Sequence, residues 1–417
     1  MSATPAAAAS VGPERLSVRW RILGILCLGE ICGMSLWFSA TAVAPALSSV
    51  WHLSAATQTW LTLSVQMGFV AGTLASAILN LPDVVPVRRL FAVSSWLAAL
   101  ANLAILAVPT STPWGVLALR FATGALLAGV YPIGMKMAAG WFVRERGLAI
   151  GAVVGALTLG SAAPHLFSGL FVAGWRPVLV SASVAAAAGG LLLLATFRDG
   201  PFAAPAPRFE PAFAARAVRD RGVRLALTGY LGHMWELYAM WAWVPAFILA
   251  SFRQARLPGA TSAANFMAFA VIGVGAAGCG SAGWLADRLG RSLVTIVAMA
   301  VSGACALSVG LLFGANPAWT GVVLIIWGFT VVADSAQFSA AITELSEVRF
   351  TGTALTLQTS LGFLLTMASI RLLPVFQQMV GWRFAMALLA LGPVVGILGM
   401  AALQRSPYAA RIAGGRG

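Results

Sequence analysis

Twelve runs of apolar residues, each near or above the ~20 residues a helix needs to cross a bilayer, dominate this chain of 417 residues. They fall near 20–48, 57–80, 89–108, 114–138, 147–172, 176–197, 223–250, 262–285, 292–314, 318–343, 353–378 and 382–403. Breakers separate them, among them Pro82 and Pro86, Pro109 and Pro113, Pro258-Gly259 and Asn316-Pro317. Hydrocarbon offers no partner to a bare amide, so each run is expected to form a helix that satisfies its own backbone. Composition agrees, because only 9% of residues are charged and mean hydropathy is +0.89. A soluble domain carries roughly 25% charged residues. Lipid is therefore the solvent for most of the chain.

The net charge of +14 does not point to nucleic acid. All basic residues but Lys136 are arginines, and no basic face or aromatic-studded strand gathers them. They cluster between the apolar runs instead. With the N-terminus inside, 20 of the 26 fall on the cytoplasmic side, including Arg15, Arg19, Arg21, Arg88, Arg89, Lys136, Arg144, Arg146, Arg288, Arg291 and Arg349. Arg176, Arg253, Arg256 and Arg383 fall outside, while Arg120 and Arg371 lie within runs. That asymmetry places both termini in the cytoplasm. The first run is too long for a signal peptide and carries Glu30 at its middle. Cys27, Cys32, Cys279 and Cys305 all sit in apolar runs with no metal-ligand spacing, which reads as packing. The Arg and Ala bias suggests a GC-rich bacterial genome, hence the inner membrane.

The chain also repeats itself. Gly174-Trp175-Arg176 returns 207 positions later as Gly381-Trp382-Arg383, Glu30 and Trp37 precede Glu236 and Trp243 by 206, and Asp83 precedes Asp287 by 204. A six-run repeat has an even number of crossings, so the expected architecture is all-α, with two parallel six-helix bundles and a solute site between them. The divisions are a tail at 1–19, bundles at 20–197 and 223–403, a proline- and arginine-bearing linker at 198–222, and a second tail at 404–417.

Gly283-Trp284-Leu285-Ala286-Asp287-Arg288-Leu289-Gly290-Arg291 resembles the loop signature G-x-L-a-D-r-x-G-r of the major facilitator superfamily. Arg120-x-x-x-Gly124 is similar to that family's second signature. The first-half loop, Leu79-Asn80-Leu81-Pro82-Asp83, keeps the acid and the downstream Arg88-Arg89 but lacks the glycines. Gly151, Gly160 and Ala163-Pro164 form a degenerate version of its antiporter signature. The resemblance implies a twelve-helix transporter whose helices one, four, seven and ten line a central cavity. It also implies that Asp287 caps a neighbouring helix, and that Arg288 and Arg291 bridge to acids across a cytoplasmic gate formed with Asp83, Gly283 and Gly290.

An ionised side chain at mid-bilayer costs about 2.5–3.5 kcal/mol on insertion scales, so acids buried in the runs are candidates for proton or solute sites. Glu30, Glu236 and Asp334 are such acids. His233, Glu236, Met240 and Trp243 share one helical face, which predicts that His233 and Glu236 share a proton. Glu30, Gly33 and Trp37 form a similar stripe. Asp334 either serves the cavity or pairs with Arg120 across the bundles, and Arg120 itself reads as a snorkelling or gate residue. Trp37 and Trp243 suit stacking on an organic solute or interface anchoring. Gln66, Asn265, Gln337 and Gln358 are further candidate liners, and His165 reads as packed. These features predict a monomeric, proton-coupled secondary transporter of a small solute. Drug efflux by antiport, small-anion uptake through Arg120, and a non-transporting membrane sensor are the alternatives. No phosphate-binding G-x-x-x-x-G-K-[ST] loop, cofactor motif or catalytic constellation is present in the sequence.

Overall fold

A computed structural model describes residues 13–143, 145–171, 174–203, 219–347 and 350–416. Most of the first tail, linker positions 204–218, Arg144 and Arg349 lie outside the described residues. The helices are α1 Pro13–Met34, α2 Ala44–Trp51, α3 Ala55–Ile78, α4 Leu81–Val84, α5 Val87–Ala104, α6 Pro113–Leu127, α7 Tyr131–Ala139, α8 Arg146–Leu170 and α9 Trp175–Thr196. The second half of the chain gives α10 Arg221–Gln254, α11 Ala260–Gly273, α12 Gly275–Leu289, α13 Arg291–Ser308, α14 Pro317–Thr330, α15 Ser335–Leu345, α16 Thr351–Val380, α17 Trp382–Ala385 and α18 Leu391–Gln404.

Among the described residues, ten helical stretches are long and apolar enough to cross a membrane. The other two long helices, α1 and α10, hold Glu30 with Arg19 and Arg21, and His233 with Glu236. Outward faces are apolar: Leu100, Leu191, Leu311 and Leu398 are exposed, whereas Glu30, Arg120, His233, Glu236 and Asp334 are buried. This inversion is what lipid as solvent demands.

Two boundaries differ from the sequence reading. The first helix begins at Pro13, ahead of the expected 20, and α10 begins at Arg221 inside the expected linker. The expected first span is also not one helix, since residues 35–43 form turns between α1 and α2. Ser35 Oγ donates to Cys32 O at 2.7 Å and Ser39 Oγ to Leu36 O at 2.9 Å. Serines that bond their own backbone loosen a helix, and Pro45 fits only the first turn of the next one. The fourth span breaks at 128–130 before Pro132, and the tenth at 331–334. Broken helices at membrane depth are tolerated where protein or a cavity satisfies the freed backbone.

In the first half of the chain, α3 packs on α6 and α5 on α9. The α3–α6 crossing is backbone to backbone: a Cβ on Gly68 would stand 1.9 Å from Phe121 O, and one on Gly124 would stand 2.1 Å from Val65 O. In the second half α10 packs on α16 and α18. The halves join through α8 against α11 and α12, and through α3 against α16.

Candidate functional site

Between the halves lies a cavity of ≈ 1300 Å³. Its mouth is at the end of the molecule where Asp83, Lys136, Glu145, Asp199, Asp287, Arg291 and Glu344 line it. Deeper, the wall carries the hydroxyls of Ser335, Ser339, Thr356 and Thr359 with Gln337. Furthest in stand Tyr131, Tyr230, Tyr238, Met234, Leu157 and Phe363. Three of the chain's four tyrosines therefore converge on this wall. Tyr238 is 17 residues into α10, about 25 Å from its start at 1.5 Å per residue. Charge is confined to the mouth, and the interior is neutral.

The inner end is shut by aromatic rings from both halves. Trp37 lies 4.9 Å from Phe69, 5.7 Å from Tyr238 and 5.6 Å from Phe363, measured between ring centroids. Phe38 meets Trp241 at 6.2 Å behind them. Offset and edge contacts of this kind stabilise by about 0.5–1.5 kcal/mol per pair beyond simple burial. Trp37 thus sits in the plug, not on the open wall.

The ionisable residues expected to line the cavity stand behind its wall. None of Glu30, Arg120, His233, Glu236, Asp334, Trp37, Trp243, Gln66 and Gln358 contributes to the lining. The partner found for His233 is Asp334 and not the expected Glu236: His233 Nδ1 lies 2.9 Å from Asp334 Oδ1, each side chain 1% exposed. This is an ion-pair distance, although the angle misses that of a hydrogen bond, leaving the Asp334 oxygens and His233 Nε2 without one. Tyr230 and Phe338 stack beside His233 at 6.2 and 5.4 Å, and Tyr230 is itself wall. Glu236 turns into the second half, where Trp327 Nε1 donates to its Oε1 at 2.7 Å and Ser302 Oγ to its Oε2 at 2.5 Å. Three residues rotate a helix by about 300°, enough to send neighbouring side chains to different partners.

Glu30 is fully buried and neither of its oxygens has a hydrogen-bond partner. It fits because α7 presents a glycine there: a Cβ on Gly134 would stand 2.5 Å from Glu30 Oε2. Gln66 and Gln358 are likewise buried without hydrogen bonds. Trp243 Nε1 donates to Ile370 O at 3.0 Å and ties α10 to α16.

Arg120 neither snorkels nor pairs with Asp334. Its Nη1 donates to Leu36 O at 3.0 Å and to Ser39 Oγ at 3.1 Å, its Nε to Leu61 O at 3.3 Å, and its Nη2 to Trp37 O. The guanidinium thus occupies the carbonyls that the break after α1 leaves open, with Asn102 completing the network through Ser39, Ser183 and Leu179 O. Each of its three nitrogens donates to protein.

At the mouth, Asp287 lies against the start of α8, its Oδ2 3.2 Å from where a Cβ on Gly147 would be. A carboxylate at a helix N-terminus is favoured by the exposed amides. The arginines do not cross between halves as expected. Arg288 stacks over Trp284 at 3.5 Å, and Arg291 forks onto Glu344 at 3.0 and 2.6 Å while donating to Gln337 at 2.8 Å. Gly283 and Gly290 are not part of the lining; Gly290 instead receives the backbone of Arg416, whose side chain donates to Asp287 O. In the first half Asp83 pairs with Lys136, which also donates to Pro82 O at 2.8 Å. Lys136, Glu344 and the three tyrosines carry no sequence motif; only their place on broken or cavity-facing helices could have marked them.

Residues 26–370 match the family model of the Major Facilitator Superfamily. Among solved structures the chain is similar to the proton:xylose symporter XylE bound to 6-bromo-6-deoxy-D-glucose, at 14% identity over 93% of this chain and 95% of that one, with a TM-score of 0.68. A double tryptophan mutant of XylE gives 14% identity, coverage of 93% and 96%, and a TM-score of 0.69. No curated protein sequence matches the chain. At such identity the likeness speaks for the fold, and the family match speaks for ancestry. The chain belongs to the Major Facilitator Superfamily, whose members are membrane transporters, not enzymes.

Proposed function

We propose that this chain is a proton-coupled secondary transporter that moves a small neutral organic solute by alternating access. Twelve helices cross the bilayer in two parallel six-helix repeats, at 20–197 and 223–403. The linker and both tails are cytoplasmic, the working unit is a monomer, and the membrane is a bacterial inner membrane. The end at which the cavity opens also carries the arginine-bearing loops around Arg88, Arg89 and Arg288 and so faces the cytoplasm, and the structure stands inward-open.

The observation that carries the solute class is the separation of charge from the cavity interior. A charged solute would meet tyrosines, Thr356, Thr359 and Gln337, with Arg120 already committed to backbone carbonyls. Anion uptake therefore loses its ligand. Tyrosine faces and hydroxyls suit a solute that pairs an apolar face with hydrogen-bonding groups. The fold's likeness to a proton:xylose symporter is in keeping with such a solute. Proton coupling rests on Glu30 and on the His233–Asp334 pair, ionisable groups buried outside the cavity lining.

The test is proton flux in proteoliposomes loaded with a pH-sensitive dye. Xylose, glucose, 4-nitrophenyl xyloside and phenol are compared with benzoate and benzylammonium. Proton movement driven by one or more neutral members and by neither ion is the expected result. Flux driven by benzoate or benzylammonium, or by none of the panel, counts against the proposal.

A further inference from the structure

The inner wall of the cavity carries a ladder of rings. Tyr230, Met234 and Tyr238 follow one another at intervals of four on α10, and all three line the cavity. That spacing keeps side chains on one face, so the stripe runs about 12 Å along the helix at 1.5 Å per residue. Gly362 of α16 makes room behind it: a Cβ there would stand 3.0 Å from Met234 Cγ and closer still to the Tyr230 ring. Phe363, the next residue, sets its ring 4.9 Å from that of Tyr238. The first half contributes Tyr131 at the start of α7, with Val154 and Leu157 of α8. Tyr131 interacts electrostatically with Tyr230, and Tyr238 with both, so the three phenols form one group. Among the described residues none of their oxygens has a hydrogen-bond partner, and none is enclosed by protein.

A phenol with an open oxygen offers one donor and an acceptor beside a flat apolar face. Three of them, with a phenylalanine ring and a thioether, suit a flat ring that carries a few polar groups. They do not suit a polyol. A sugar presents hydroxyls around its whole rim, and Met234, Val154, Leu157 and Phe363 leave without a partner those that miss a phenol. Gln337, further out, already accepts from Arg291 at 2.8 Å. A saturated solute of the same outline buries similar area but lacks the edge and face contacts of an aromatic one. We infer that the cavity takes a neutral aromatic solute bearing hydroxyl or carbonyl groups, held by the phenols of Tyr131, Tyr230 and Tyr238 with its ring against Phe363 and Met234. The inference rests on this cavity being the solute site proposed above, and it narrows the neutral organic solute to one class.

The test is calorimetric binding to the full chain in lipid nanodiscs, with empty discs as the blank. 4-Hydroxybenzyl alcohol is compared with its ring-saturated counterpart 4-(hydroxymethyl)cyclohexanol, with xylose and with benzoate. The aromatic alcohol should bind about tenfold more tightly than the saturated one or xylose. Y131F, Y230F and Y238F each remove an oxygen and keep the ring, and each should weaken that binding about three- to tenfold. Y408F is the control and should bind as wild type does, because Tyr408 lies outside the lining, against Gly222. Equal or tighter binding of the cyclohexanol or of xylose overturns the inference. So does wild-type affinity in two or more of the three cavity variants, or no binding of any neutral compound. Xylose in front leaves the neutral-solute reading standing, whereas benzoate binding tightest of the four sinks that reading itself.

Discussion

His233 and Asp334 face each other across α10 and the break before α15, with Nδ1 and Oδ1 2.9 Å apart and both side chains 1% exposed. Removing one partner of such a pair strands the other in the interior. D334A should therefore lower stability by about 3–5 kcal/mol, read as a drop in the thermal midpoint of the reconstituted protein. The H233A/D334A double variant should cost less than the sum of its parents. Strict additivity would show that the two do not act as a pair.

Arg120 is expected to act on the fold, not on solute choice. R120K offers one ammonium where a fork serves Leu36 O, Trp37 O, Leu61 O and Ser39. Each stranded carbonyl costs about 1–3 kcal/mol, so the variant should melt earlier while its ranking of neutral over ionic solutes stays unchanged. A gain or loss of anion flux in R120K would assign the residue to the solute site.

The aromatic plug should be the barrier on the far side of the cavity. W37A removes the ring that touches Phe69, Tyr238 and Phe363 together. Proteoliposomes of this variant should leak protons without solute, several-fold faster than wild type. An unchanged leak would place the barrier elsewhere.

Close helix crossing gives a stability contrast between glycines. G68A and G124A push a methyl into the backbone carbonyls of Phe121 and Val65, and each should cost about 1–3 kcal/mol. A methyl on Gly24 would meet nothing within 4 Å, so G24A should gain up to about 1 kcal/mol from helix propensity. Thermal unfolding of the three variants side by side decides this.

Hydropathy alone brings the helices and their breakers into view, because lipid imposes one rule on every segment, whereas the stretch from Gly283 to Arg291 is legible only through its resemblance to a family signature and proves helical as far as Leu289. The partners of the buried charges are not visible in hydropathy. His233 and Glu236 share a helical face by spacing, yet they point to Asp334 and to Ser302 with Trp327, residues far away in sequence. Arg120 resembles a membrane-edge arginine as long as the first span is taken as unbroken. Only the turns at 35–43 reveal the carbonyls it serves.

Proton coupling through the enclosed carboxyls is tested most directly by separating exchange from accumulation. The solute that moves most protons in wild-type proteoliposomes is followed in E30Q and D334N, once as exchange without a pH gradient and once as accumulation driven by one. Retained exchange with lost accumulation in either variant is the expected result. Full gradient-driven accumulation in both would contradict it.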